Sequence, residues 1–248
     1  TGVMVFILAC GSAAWNNIQD RFYDLSFRRT RFRALPQKRI SVISAAVISV
    51  VLIGSGLSGL AAFFNITAFF TGVMAVICYN LLYTPLKKKT VAAIIPGSVS
   101  GMLPPLIGWT AAGSPFMSND IFLIMTIFCL WQVPHFFVIL LKDNNVGQEA
   151  GKEGLPCFTK IFTRREIRLQ ALIWTSLYSL AICLFLLSGI ISHGFFALVI
   201  FVDAILILGV FTVVMLRKET GGMIPAFASI NFSILLFMAA GIGDKLIG

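Results

Sequence analysis

Long apolar runs separated by short polar breaks dominate this chain. No charged residue occurs from Ile40 to Leu86, a stretch long enough for two membrane helices at about 20 residues each. The same pattern predicts spans at 1–17, 40–63, 66–83, 91–112, 119–141, 169–189, 194–216 and 224–243. The runs are continuously apolar and do not alternate, which argues for helices and against a β-barrel. The expected class is all-α, a polytopic membrane helix bundle in one domain over 1–248, with eight spans visible. The chain opens on Thr1 with its first span starting outside, so an additional N-terminal helix is expected, making nine.

Composition agrees. Charged residues make up 12% of the 248 positions and the mean hydropathy is +0.94, whereas a soluble domain carries about 25% charged residues. The net charge of +9 would suit nucleic acid if it were gathered on one face. Instead, 18 of the 19 Lys and Arg residues fall in alternate loops, at 18–39, 84–90, 142–168 and 217–223. The turns near 64–65, 113–118 and 190–193 hold none. The loaded loops are therefore expected to be cytoplasmic, with anionic lipid or substrate as the partner of the charge and no nucleic acid. The five cysteines, Cys10, Cys78, Cys129, Cys157 and Cys183, are scattered and read as small core residues. Asn65-Ile66-Thr67 matches a glycosylation pattern but lies in a tight turn between spans. Ser55/Gly59 and Gly97/Gly101 have the small-residue spacing of close helix packing.

Candidate chemistry begins where the first span ends, in WNNIQDRFYDLSFRRTRFR. On a continuing helix a step of four residues advances about 400°, so Asn16, Asp20 and Asp24 would share one face. An amide oxygen and two carboxylates suit Mg²⁺, which prefers oxygen and often bridges carboxylates to substrate phosphates. Seven basic residues surround them: Arg21, Arg28, Arg29, Arg31, Arg33, Lys38 and Arg39. Taken alone, such charges more often mark only a solvated, orientation-setting loop. Further motifs on the same side shift that balance.

The second loaded loop, NLLYTPLKKKT, offers Lys87 and Lys88 as point charges for phosphate oxygens. The span after it holds Pro96, Pro104 and Pro105, which are expected to interrupt it and place it against an interior cavity. In WQVPHFFVILLKD, His135 lies within a span, where an ionisable group is costly unless it meets a partner or cavity. The third loaded loop carries Asp143, Glu149 and Glu153. The last two have a spacing that would pair them on a helix as a second metal-binding patch. Asp203 lies in mid-span with no partner evident from sequence, and Arg164, Arg165 and Arg168 are expected to mark the inner end of the sixth span.

Taken in order, the Asn16/Asp20/Asp24 motif with Arg29-Thr30 and Arg33, then YTPLKKKT, LPPLIGW and WQVPHF, resemble the UbiA superfamily of intramembrane prenyltransferases. WQVPHF and LPPLIGW incline towards the branch that farnesylates protohaem. The usual Arg-Pro-Leu of the first motif reads Arg33-Ala34-Leu35, and Phe22 interrupts its acidic string. The resemblance implies nine helices around a central cavity, Mg²⁺ as cofactor, and an isoprenoid diphosphate, farnesyl diphosphate, as donor. It assigns one Mg²⁺ to Asn16, Asp20 and Asp24, and a second to Glu149 with Glu153 or Asp143. Lys87, Lys88, Arg29 and Arg33 would bind the diphosphate. His135 would ligate or orient haem b as the acceptor. An aromatic or quinone-precursor acceptor is the alternative within the superfamily. A transporter is the remote one, since it would need more acidic residues deep in the spans than Asp203.

Overall fold

The computed structural model describes residues 1–142, 146–217 and 223–247. Helices follow one another as α1 (Gly2–Asp20), α2 (Val42–Phe63), α3 (Ile66–Leu86), α4 (Val91–Ala111) and α5 (Asn119–Lys142), then α6 (Val146–Lys152), α7 (Phe158–Ile161), α8 (Arg164–Leu187), α9 (Gly194–Leu216) and α10 (Met223–Ile247). Seven of these, α2–α5 and α8–α10, are long and apolar enough to cross a membrane. Large apolar side chains stand exposed along them, Ile43 at 77% and Leu187 at 83% among them. In water such surface would be a liability, but against acyl chains it is the expected solvent-facing layer. The protein is an integral, multi-pass membrane protein.

The chain packs as two compact units, 1–121 with 145–157, and 122–144 with 158–248. In the first, α1 lies against α2, and small residues set how close they come. A Cβ built on Gly11 would fall 2.8 Å from Ile53 N, and one on Gly56 would fall 2.9 Å from Leu8 Cβ. Ser49 Oγ donates to Gly11 O across the same seam at 2.7 Å. Leu8, Leu60, Ala68 and Ile107 form the buried core that unites α1 to α4. Asn65 caps α3 by accepting from Ala68 N at 2.8 Å and donates to Thr110 O at 2.7 Å, so the glycosylation-like pattern is a helix cap. The prolines of α4 do not interrupt it. A short 3-10 turn (Val91–Ala93) leads into a helix from Ile94 to Ala111 that carries Pro104 and Pro105 in its interior.

In the second unit α8 starts five residues before the predicted 169. Thr163 and Glu166 form a capping box there, each side chain bonding the other's backbone N–H. Arg164 and Arg168 belong to the helix and donate to the carbonyls of Leu141 at 2.6 Å and Val214 at 2.7 Å. Asp203 finds its partners on the neighbouring helices. Ser233 Oγ donates to its Oδ2 at 2.5 Å, and the Tyr178 hydroxyl lies 2.9 Å from Ser233 Oγ. That explains a mid-span carboxyl by a buried polar chain across α8, α9 and α10, with Tyr178 wholly buried. Tyr178→Phe should cost about 1 kcal/mol, the usual net worth of a buried hydrogen bond. A lower unfolding midpoint in detergent with unchanged helix content checks it. None of the five cysteines forms a disulfide among the described residues, and four are only half-buried, so core packing describes Cys157 alone.

Candidate active site

The first motif sits at a helix end and does not continue as a helical column. α1 stops at Asp20, where Arg21 turns back and donates to Ile18 O at 2.8 Å. Asp24 lies beyond, in a 3-10 turn over Tyr23–Leu25. The expected single face therefore holds for Asn16 and Asp20 only. All three side chains are nevertheless buried, at 8%, 7% and 6% exposure. Each has basic partners, since a buried carboxylate without compensation is costly.

The end of α3 brings up the partners of Asn16 and Asp20 through a local change of helix register. Ile77–Tyr83 is wound as a π-helix, with Thr84 N–H bonded to Tyr79 O. On that register Asn80 O would pair with residue 85, which is proline and has no N–H. Gln19 Nε2 takes the freed carbonyl at 3.0 Å, and Asn80 Nδ2 donates to Ser12 O at 2.9 Å. α1 is thereby tied to α3 at two heights, and Thr84 and the lysines after it are brought beside Asn16 and Asp20.

The resulting cluster is compact. Lys87 Nζ donates to Asn16 Oδ1 at 2.8 Å and to Asp20 Oδ2 at 2.5 Å. Thr84 Oγ1 donates to Asn16 Oδ1 at 3.0 Å. Lys88 Nζ lies 3.1 Å from Asp20 Oδ1 and donates to Gln19 O at 2.6 Å. The Lys88–Asp20 approach is an ion pair without hydrogen-bond alignment, which leaves Asp20 Oδ1 buried and without a hydrogen bond. Burial pushes the Lys87 ammonium below its ordinary pKa, and the Asp20 carboxylate opposes that fall.

Asp24 forms a second group. Arg33 grips both of its oxygens at 3.0 and 3.2 Å and also donates to Asn17 Oδ1 at 3.0 Å. Thr30 Oγ1 donates to Asp24 O at 3.1 Å, closing the loop on itself. Arg29 is exposed beside it. Glu149, on α6, accepts from Arg28 N at 3.3 Å, which brings the second acidic motif to the loop of the first. Glu153 lies past the end of α6 in an exposed turn that closes at Gly154, φ 68°. Its backbone N–H donates to Glu149 O at 3.4 Å, so it stands one helical turn on from Glu149 where α6 ends. Asp143 lies outside the described residues. Among the described residues no three His, Cys, Asp or Glu side chains gather as a ready metal cage.

His135 is in the second unit, half-buried, with its ring centroid 5.0 Å from Trp131 and 5.4 Å from Phe227. Asn231 hydrogen-bonds it, while Nδ1 is buried without a partner. Trp131 is anchored by its Nε1 donating to Ile230 O at 2.8 Å. Sequence reasoning missed Thr84, Asn80 and Gln19, although the Asn80-to-Lys88 segment that holds two of them was already suspect.

Residues 1–239 match the UbiA prenyltransferase family. A protoheme IX farnesyltransferase from Sorangium cellulosum is 33% identical over 251 residues, covering 96% of this chain and 84% of that protein. One from Geobacter sulfurreducens is 41% identical over 155 residues, 62% of this chain but only 56% of that relative's length. The fold is that of solved relatives at low identity. A UbiA homologue from Aeropyrum pernix superposes with a TM-score of 0.72 at 17% identity, over 96% of this chain and 86% of that one. A homologue from Archaeoglobus fulgidus, solved with GPP and Mg²⁺, gives 0.67 at 15%, over 96% and 86%. With helix order, the ordered motifs and the whole-length match in agreement, the chain belongs to the UbiA prenyltransferase family.

Proposed function

We propose that this protein is an intramembrane prenyltransferase that ionises farnesyl diphosphate and transfers the farnesyl group to haem b. The observation that carries the reading is the cluster of Asn16, Asp20, Lys87 and Lys88. It combines hard oxygen donors with phosphate-binding cations where the apolar helices α1 and α3 end. The charge asymmetry of the loops supports a cytoplasmic location for it.

Mg²⁺ fits these donors. They are oxygens, Asp20 Oδ1 is buried without a hydrogen bond, and a cation, the Lys87 ammonium, already lies between Asn16 and Asp20. Asn16, Asp20 and Asp24 would hold one ion, and Glu149, with Glu153 or Asp143, a second. Bound there, the metal would neutralise charge on the departing diphosphate. Lys87, Lys88, Arg29 and Arg33 would hold its remaining oxygens. As the allylic carbon–oxygen bond breaks, these fixed positive groups stabilise the charge that develops. The surrounding apolar helices keep water from the allylic cation. His135 orients the acceptor, whose vinyl group takes the farnesyl carbon while water supplies a hydroxyl and releases a proton.

Pigments extracted from cells expressing the protein test the acceptor. Mass spectrometry should find haem b increased by a hydroxyl and a farnesyl group. Prenylated aromatic acids in its place would instead support the quinone-precursor reading.

A further inference from the structure

We propose that Lys87 is an exchangeable counter-ion that couples metal binding to diphosphate binding, so that neither ligand binds well without the other. This rests on the reading above and concerns how that site fills. Both acceptors of the Lys87 ammonium, Asn16 Oδ1 and Asp20 Oδ2, are predicted metal donors. A divalent ion bonded to oxygens at about 2.1 Å would take the place the ammonium now holds. A divalent ion and an ammonium on the same oxygens compete for lone pairs and repel each other, so metal entry favours release of Lys87.

The two lysines are not equivalent in this respect. Lys88 has a fixed anchor in Gln19 O at 2.6 Å and keeps it whatever happens at Asp20. Lys87 has no such anchor. Beyond the two shared oxygens, it lies 5.2 Å from the Tyr83 ring and feels the charges of Lys88 and of Asp24, whose carboxylate is already held by Arg33. A displaced, partly buried ammonium needs another anion close by. The oxygens of a diphosphate supply it, and the same lysine then serves the ligand it admitted. Lys87 thus holds the carboxylate and amide in place beforehand and penalises a metal that arrives without phosphate.

Equilibrium dialysis of the purified full-length chain in detergent, with Mn²⁺ as probe, reads this directly. At equal free Mn²⁺, inorganic pyrophosphate should tighten Mn²⁺ binding by about tenfold or more, within the ordinary range of coupling between sites. By reciprocity Mn²⁺ should tighten pyrophosphate by the same factor. Lys87→Gln keeps donors near Asn16 and Asp20 but not the charge. It should tighten Mn²⁺ alone and reduce the enhancement to less than about threefold, with Lys87→Met as a second variant. Lys88→Gln should keep most of the coupling. The proposal is overturned if wild-type protein binds Mn²⁺ as tightly without pyrophosphate as with it, or if both Lys87 variants keep the full enhancement. Those results leave the site itself standing provided binding is lost in Asp20→Ala. Binding that survives Asp20→Ala, or none in any variant even with pyrophosphate, removes the diphosphate site and this coupling together.

Discussion

Asp20→Ala should lower prenyl transfer in membranes by on the order of 10²–10³-fold at ordinary Mg²⁺, the scale seen when one preorganised stabilising group is removed. Asp20 carries this weight because both lysines of the cluster meet it. Its two oxygens meet Lys87 and Lys88, and Lys87 links it to Asn16. Removing the carboxylate strands two partly buried ammonium groups and takes away a proposed metal donor. Asp20→Asn separates these effects, since it keeps the shape while removing the charge. Labelled farnesyl diphosphate measures the rate, and Asp120→Ala, an exposed carboxylate at the start of α5, should stay within about twofold of wild type. Full activity in Asp20→Ala would discard the proposed site.

Gly56→Leu should unfold the first unit's helix pair or displace α1, lowering stability by about 3 kcal/mol, the upper end for overpacking a tight interface. A Cβ there would meet Leu8 at its N, Cα and Cβ, between 2.9 and 3.1 Å. Backbone cannot rotate aside as a side chain can, so the helices must separate. Activity should fall with stability, because α1 carries Asn16 and Asp20. Gly54→Leu, two residues away, is the control, since its Cβ would meet nothing within 4 Å. Thermal unfolding in detergent should show a large drop for the first variant and almost none for the second.

The membrane class, the helix order and the charged members of the cluster, Asp20, Lys87 and Lys88, were legible in the sequence for a physical reason. Bilayer thickness and the cost of burying charge write themselves plainly into an apolar chain. Helix ends were less legible. α8 begins at Arg164 because Thr163 and Glu166 cap it, and the capping pair is hidden among charges that read as a loop. Asp24 followed the correct spacing but not the expected geometry, since spacing cannot show that α1 stops at Asp20. The pairing of Arg33 with Asp24, rather than with open solvent, is tertiary and has no local signature. Of the close-packing glycines sought in sequence, Gly59 does lie in the α1–α2 seam, against Met4, and Gly97 lies against Tyr83, whereas Gly11 and Gly56 of that seam went unnoticed, because which face of an all-apolar helix turns inward is not encoded by polarity.

The double tether between Asn80 and α1 constrains how the site can respond. Ser12 and Gln19 are about 10 Å apart along their helix, so a rod pinned at both places can neither slide nor roll. Whatever enters the cluster must be accommodated by swinging side chains, and an ammonium on a four-carbon arm travels where a helix cannot.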